Sequence, residues 1–473
     1  MQDIIRGAST PTAAEERERT PYLARFYSVA WRWHFYAGLY VIPFAVMLAL
    51  TGLVMLYHDA IETVQYRDRL FVAPSGRVLP AETQLAAVRA AFPGATVSQY
   101  IPPVAADRSS QFSIKTQTGQ DLTVFVDPGA GAVLGAVEQS TTWYAIANNI
   151  HGSLLLGDTG DHLIEIAAGF MVVLIISGFY LWWPRDWRSL VAAFRPRSGR
   201  RARWRQLHSV IGVVSAAALL FFAISGLAWT GVWGGKLVQP WSSFPAERTK
   251  APLSDETHAA LNHGSLKEVP WGLEQTPLPA SGSMAGAEGI PAGIPVTLDS
   301  VIAYARDNGF THFRVNLPRG PRGVFTVSAN TMSGDITDAR QDRTLHLDQY
   351  TGKKLADIGW DDYSPMAKAM AAGIALHEGR MGWWSVFLNT IFCLAVLFLA
   401  VSGVVMWWLR RPSRSFRLVA PPVPANLPLW QGAVVVMLAV SLAFPLVGIT
   451  LLIVLALDWL LLSRLPVLKH MVS

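Results

Sequence analysis

The sequence contains a single cysteine, Cys393, and it lies inside an apolar run. An intrachain disulfide, a cysteine-ligated iron–sulfur cluster and a cysteine-rich zinc site are therefore excluded. Charge is scarce too: Asp, Glu, Lys and Arg make up 15% of 473 residues, where a soluble domain carries about 25%. An HExxH zinc motif, a glycine-rich dinucleotide loop, a P-loop and a serine-nucleophile elbow are all missing. What is abundant is apolar: 51% hydrophobic residues, 18 tryptophans and a mean hydropathy of +0.30. A soluble cytoplasmic enzyme does not fit this composition. Lys and Arg outnumber Asp and Glu by 39 to 33. That surplus implies no nucleic-acid partner, because membrane proteins hold such cations in cytoplasmic loops.

A membrane span needs about 20 apolar residues. Runs of that kind occupy 35–57, 162–183, 208–230 and 386–409. A fifth region, 429–463, has Pro445 and Gly448 in its middle and predicts one kinked helix or a short hairpin. Arg185, Arg188, Arg195, Arg197, Arg200, Arg201, Arg203 and Arg205 follow the second span, and Arg410, Arg411, Arg414 and Arg417 follow the fourth. Both runs are expected in the cytoplasm, which puts the N-terminus inside and the long polar segments 59–160 and 231–383 outside. The first span lacks a small-residue cleavage site and reads as a retained anchor. In a bacterium this describes a multi-pass protein of the inner membrane, with membrane lipid as a partner and its polar domains in the periplasm.

The chain is duplicated. Each span contains a hydroxyl residue followed by glycine: Thr51-Gly52, Ser177-Gly178, Ser225-Gly226 and Ser402-Gly403. His34 and His208 each stand 18 residues before the glycine of spans one and three, and spans two and four both end in Trp-Trp. The polar segments match as well. Stretches 81–92 and 297–308 read as amphipathic helices, followed by alternating strands that end at Val124–Pro128 and Leu345–Gln349 and turn at glycine. The expected fold class is a mainly α membrane protein: duplicated transmembrane pairs forming a four-helix haem-binding core, two small α+β periplasmic domains and an extra C-terminal membrane region. Its boundaries are a cytoplasmic segment 1–30, span one 31–58, outer domain one 59–141, a histidine segment with span two 142–184, an Arg-rich loop 185–205 and span three 206–231. Outer domain two follows at 232–365, then a histidine segment with span four at 366–410, a linker at 411–428 and the membrane region 429–463. Residues 240–295, rich in Pro, Gly and Ser, read as an insertion in the second copy that forms a surface loop.

Ionisable groups in or beside a span are costly and point to function. Two copies inserted in the same direction face each other across an axis along the membrane normal. His34 then faces His208 near the inner surface, and His151 faces His377 near the outer one. Two neutral imidazoles directed at one centre suit a low-spin haem iron. Gly52 and Gly226 fall at the outer layer and Gly178 and Gly403 at the inner one, leaving room for a flat macrocycle, although helix packing alone also explains each glycine. Zinc would need three or four converging ligands where the repeat offers two. Copper at Met366, Met370 and Met381 beside His377 competes with ordinary packing. His58 and His162 lack counterparts and read as interfacial, with substitution for a ligand as the lesser alternative. His258, His263, His312, His346 and His470 read as structural, with His346, on a strand, also able to touch a substrate.

The combination of His34 with Thr51-Gly52, Val124 to Leu134, His151-Gly152 with Gly157-Asp158, and Ser177 to Trp183 resembles the PepSY-associated transmembrane family. His208 with Ser225-Gly226, Leu345 to Leu355, and His377 with Ser402-Gly403 complete the resemblance, which extends from about 28 to 463. Members include bacterial inner-membrane reductases of iron–siderophore complexes, which are dihaem proteins. The resemblance implies PepSY-like outer domains, two haem b groups, the four paired histidines as ligands, and oxidoreductase activity. Insertion 240–295, region 429–463 and Glu378 in place of the first copy's Gly152 depart from it.

The expected function is transmembrane electron transfer. An inner haem on His34 and His208 would take electrons from a cytoplasmic or quinol donor. An outer haem on His151 and His377 would reduce a periplasmic acceptor, with ferric siderophore favoured. The rival expectations are a membrane-anchored PepSY binding or regulatory module, and a metal or siderophore transporter.

Overall fold

The computed structural model describes residues 13–184, 194–195, 198–264, 266–411, 418, 431–457 and 459–460. Arg185, Arg188, Arg197, Arg414, Arg417 and His470 lie outside the described residues. The first copy runs α1 (Ala13–Leu56), α2 (His58–Gln65), α3 (Arg67–Leu70), α4 (Ala81–Ala91), β1 (Thr96–Ile101), β2 (Ser110–Lys115), β3 (Asp121–Val126), β4 (Val133–Glu138), α5 (Trp143–Ser153) and α6 (Asp158–Trp182). The second copy runs α7 (Arg200–Leu227), β5 (Leu253–Thr257), β6 (Pro277–Pro279), α8 (Leu298–Asp307), β7 (Arg314–Asn316), β8 (Val324–Ala329), β9 (Arg343–Asp348), β10 (Lys354–Gly359), α9 (Pro365–His377) and α10 (Trp383–Arg410). Helices α11 (Gln431–Ala443) and α12 (Pro445–Leu457) follow.

Among the described residues, four helices are long and apolar enough to cross a membrane: Phe26–Leu56 within α1, then α6, α7 and α10. The chain divides into two compact units. One comprises the described parts of Met1–Met47, Leu163–Ile224 and Leu394–Ser473; the other comprises Leu48–His162 and Ser225–Cys393.

In the first unit α1 lies on α6, where Tyr40 donates to Leu163 O at 3.3 Å and its ring meets Phe170 at 5.6 Å. Similarly, α7 lies on α10, with Trp204 stacked on Phe398 at 6.0 Å. Pro445 has no N–H to continue the ladder, and the helix breaks there. A Cβ added at Gly448 would lie 2.8 Å from Ser441 Cβ, whereas residues seven apart on a straight helix are separated by about 10 Å. Thus α11 and α12 fold back on each other, and the bend, through Phe444 and Val447, packs against Gly169 of α6.

The second unit is built on one antiparallel sheet of eight strands, ordered β10-β9-β8-β7-β1-β2-β3-β4. Two separate small domains were expected. Instead, β1 pairs with β7 (Gln99 with Asn316, Tyr100 with Val315), so the two copies share one sheet. Helices α4 and α8 cover one face, over a core that includes Leu85, Phe112, Ile114, Leu298, Val315 and Leu345. Each such side chain contributes roughly 1.5–3 kcal/mol on burial.

The two helix starts cap each other. Asp299 accepts from Ala81 N at 2.6 Å and Glu82 N at 3.3 Å, while Glu82 accepts from Leu298 N at 2.8 Å. Both carboxylates thereby satisfy first-turn N–H groups and oppose the helix dipoles. The strand turns also repeat: Asp127 accepts from Gly129 N and Ala130 N, and Asp348 accepts from Tyr350 N and Thr351 N.

The insertion 240–295 is a surface loop only at its end, where most of 282–295 is exposed; the part before it is packed. Val269, Trp271, Leu273 and Leu278 are buried, and the segment covers the polar face of the second copy's strands. Its Pro, Gly and Ser favour irregular backbone, but its apolar side chains still leave water. Glu268 of this segment is buried between Arg314, His263 Nδ1 at 2.8 Å and Gln99 Nε2 at 3.0 Å. Burial alone would raise its pKa; Arg314 and the hydrogen bonds outweigh that and hold it down at about 2.

Candidate functional site: two histidine pairs

In the first unit, His34 on α1 places Nδ1 3.0 Å from Ser177 Oγ on α6. His208 on α7 places Nδ1 2.7 Å from Ser402 Oγ on α10. The two rings face each other with centroids 6.4 Å apart and planes at 89°.

The second unit repeats the arrangement with different suppliers. His151 lies on the short α5, with Nδ1 2.9 Å from Thr51 Oγ1 of α1. His377 ends α9, with Nδ1 2.8 Å from Ser225 Oγ of α7. Caps position these two helices: Thr142 accepts from Ala145 N at 3.1 Å, and Ser364 accepts from Ala367 N at 3.2 Å.

The hydroxyls decide which ring nitrogen carries the proton. Ser177 Oγ donates to Val173 O at 2.6 Å, Ser402 Oγ to Leu399 O at 3.0 Å, and Thr51 Oγ1 to Leu48 O at 3.3 Å. A hydroxyl has one proton, so with it given to the carbonyl the oxygen accepts from the imidazole. Nδ1 therefore holds the hydrogen at His34, His208 and His151, and Nε2 keeps a lone pair suited to a metal. Burial lowers His151 to a pKa of about 4. Burial together with the charge of a nearby His151 lowers His377 to about 3, so both are neutral near pH 7.

A glycine lies against every ring. An added Cβ would come within 3.0 Å of His34 Cε1 from Gly178, 3.6 Å of His377 Cε1 from Gly226, 3.8 Å of His151 Cε1 from Gly52 and 3.9 Å of His208 Cε1 from Gly403. Each glycine thus admits the imidazole lying over it.

The separation within the His34–His208 pair fits a haem. Two metal–imidazole bonds of about 2 Å, plus about 1 Å from each nitrogen to its ring centre, sum to about 6 Å, close to the 6.4 Å between His34 and His208. Among the described residues, no three His, Cys, Asp or Glu side chains are grouped to hold a metal ion. A pair of imidazoles would suit haem iron, whereas a tetrahedral zinc site would need more protein ligands.

The other histidines are placed elsewhere. Both His58 nitrogens are engaged, with Met55 O at 2.7 Å and Asp59 at 3.1 Å, and His162 and His312 are exposed. His346 is fully buried, in keeping with a structural role and leaving no face for a substrate: its Nε2 is 3.0 Å from His258 Nε2 and its Nδ1 is 2.9 Å from Thr326 Oγ1. Met370 packs in a core with Ile374 and Trp271. Sequence reasoning placed the four glycines beside haems but gave the preceding hydroxyls no role. The signal was present, since Thr51, Ser177, Ser225 and Ser402 occupy the same place in every span.

A model of the PepSY-associated TM region matches residues 31–410. The chain belongs to this family. The matched PepSY-associated region contains all four histidines and all four hydroxyl–glycine pairs, while α11 and α12 lie beyond it. No curated protein matches the chain.

Proposed function

We propose that this member of the PepSY-associated family is a dihaem b-type cytochrome of the bacterial inner membrane. It takes electrons from a cytoplasmic or quinol donor and reduces a periplasmic ferric siderophore. The observation that supports this most strongly is the repeated bond from histidine Nδ1 to a serine or threonine hydroxyl that precedes a glycine. It orients four rings and, where the hydroxyl proton goes to a carbonyl, leaves Nε2 to bind metal. His34 with His208 would hold one haem, and His151 with His377 the other.

Bound haem would supply reversible one-electron chemistry. The chain orients each imidazole through a hydroxyl partner and admits the ring over a glycine. For the substrate, one-electron reduction to Fe(II) weakens binding to hard oxygen donors and frees the metal.

A PepSY binding module would account for the sheet, but it leaves the four anchored imidazoles without a role. A transporter reading draws support from the bend at Pro445, which is remote in sequence from the paired histidines. The proposed function is tested by reducing the purified protein anaerobically, removing excess reductant and mixing it with a ferric siderophore. Reoxidation of the haem bands with release of Fe(II) is expected. A reduced spectrum that persists at saturating chelate rejects the siderophore as acceptor.

A further inference from the structure

Helix α9 ends in a turn that fixes the backbone of a cation, Arg380, three residues after His377. Gly379 adopts φ +73°, and Arg380 N donates to Ala375 O at 2.8 Å, the 6→1 bond of a Schellman cap. The Arg380 side chain is 19% exposed and lies against Gly334, where an added Cβ would stand 2.8 Å from Nη1. Its nearest acidic atoms are Asp59 Oδ2 and Glu378 Oε2, each at 3.8 Å, beyond hydrogen-bond reach. Among the described residues, the guanidinium makes no hydrogen bond.

A guanidinium carries five N–H donors in a planar fork. Leaving such donors unsatisfied in a largely enclosed place is costly. The fork matches a carboxylate through two parallel bonds, and such charge-assisted pairs are stronger than neutral ones. Asp59 does not fill this role, because its side chain is 81% exposed and water competes for it. Its position is set independently of charge, since Arg380 follows His377 by three residues and its backbone is locked by the cap.

We propose that Arg380 binds a ligand carboxylate presented beside the His151–His377 pair. The inference rests on the haem reading of that pair for one source of the carboxylate, a porphyrin propionate. The other source is a carboxylate of the iron chelator.

The test uses the purified full chain as wild type, Arg380→Gln and Arg380→Lys. Haem content and midpoint potentials are measured by spectroelectrochemistry, and steady-state kinetics are measured with ferric citrate. If the carboxylate is a propionate, R380Q lowers the midpoint of one haem and spares the other, because a nearby cation stabilises the added electron; R380K restores much of the shift. If it belongs to the chelator, both midpoints stay in place while R380Q raises KM about tenfold at unchanged kcat, and R380K reverses the change. Two haems with unaltered midpoints and unaltered KM in R380Q overturn the inference and leave the haem reading standing. Equal loss of one haem from both variants shows a packing role and overturns it as well. Wild type without haem overturns the haem reading and this inference together.

Discussion

The two histidine pairs use one device on two frames. His34 and His208 stand on spanning helices, and their hydroxyl–glycine partners lie on the next span of the same copy. His151 and His377 stand on short helices that precede a span, and their partners lie on the span before. The hydroxyl–glycine element is common to both; what differs is how the histidine is held. A spanning helix satisfies its backbone over a long ladder, whereas an 11-residue helix such as α5 depends on its caps. Placement of the second pair therefore depends more on local turns.

This contrast can be broken outright with the four proposed ligands. His34→Ala or His208→Ala should abolish one haem and leave the other, and His151→Ala or His377→Ala should do the converse, read as haem per chain and as which spectral component is lost. A variant that removes both haems, or a haem shared by His34 and His151, would show that the pairs are drawn wrongly.

A sharper variant acts within the first pair. Gly178→Val should displace His34, because even a Cβ stands 3.0 Å from Cε1, while Gly403→Ala should be tolerated at 3.9 Å from His208. Equal haem occupancy in the two variants would contradict the packing.

The sheet supplies a control outside the four proposed ligands. Glu268→Gln leaves Arg314 facing one carboxylate instead of two and should cost roughly 3 kcal/mol, read by denaturation, with both haem spectra unchanged. The same carboxylate gives a pH signature. Its folded pKa of about 2 lies below the ordinary 4.5. Its stabilisation is therefore full above about 4.5 and disappears as pH falls toward 2; E268Q should flatten that part of the stability profile.

Removing one hydroxyl should act more gently. Ser402→Ala takes away the Nδ1 partner of His208, and loss of such a partner typically costs 10–100-fold in metal affinity. Weaker haem retention on gel filtration, with the haem still bis-histidine, is expected; retention equal to wild type would deny the hydroxyl its orienting role. The smallest change tests the frames. Thr142→Ala removes the α5 cap at about 1 kcal/mol and should loosen only the haem of the second pair.

Much of this architecture was legible because it rests on local periodicity. Four apolar runs, the amphipathic helices at 81–92 and 297–308 and the two glycine turns all follow from residue types within a short window. The joining of β1 to β7 was not legible, because two residue pairs more than 200 positions apart leave no periodic trace. Burial of the first part of 240–295 was missed for another reason: Pro, Gly and Ser report on backbone shape, while burial was decided by Trp271 and Leu273 among them. The histidines and glycines stood out by repetition. The tautomer did not, since it depends on the carbonyls of Leu48, Val173 and Leu399 receiving the hydroxyl protons.

The central claim is that these anchored imidazoles hold two iron porphyrins. Haem per chain, measured by pyridine haemochromogen on protein purified from haem-replete cells and paired with an oxidised-minus-reduced spectrum, addresses it most directly. The account predicts about two haem b per chain with low-spin bis-imidazole bands. A folded, colourless protein from the same cells would contradict it.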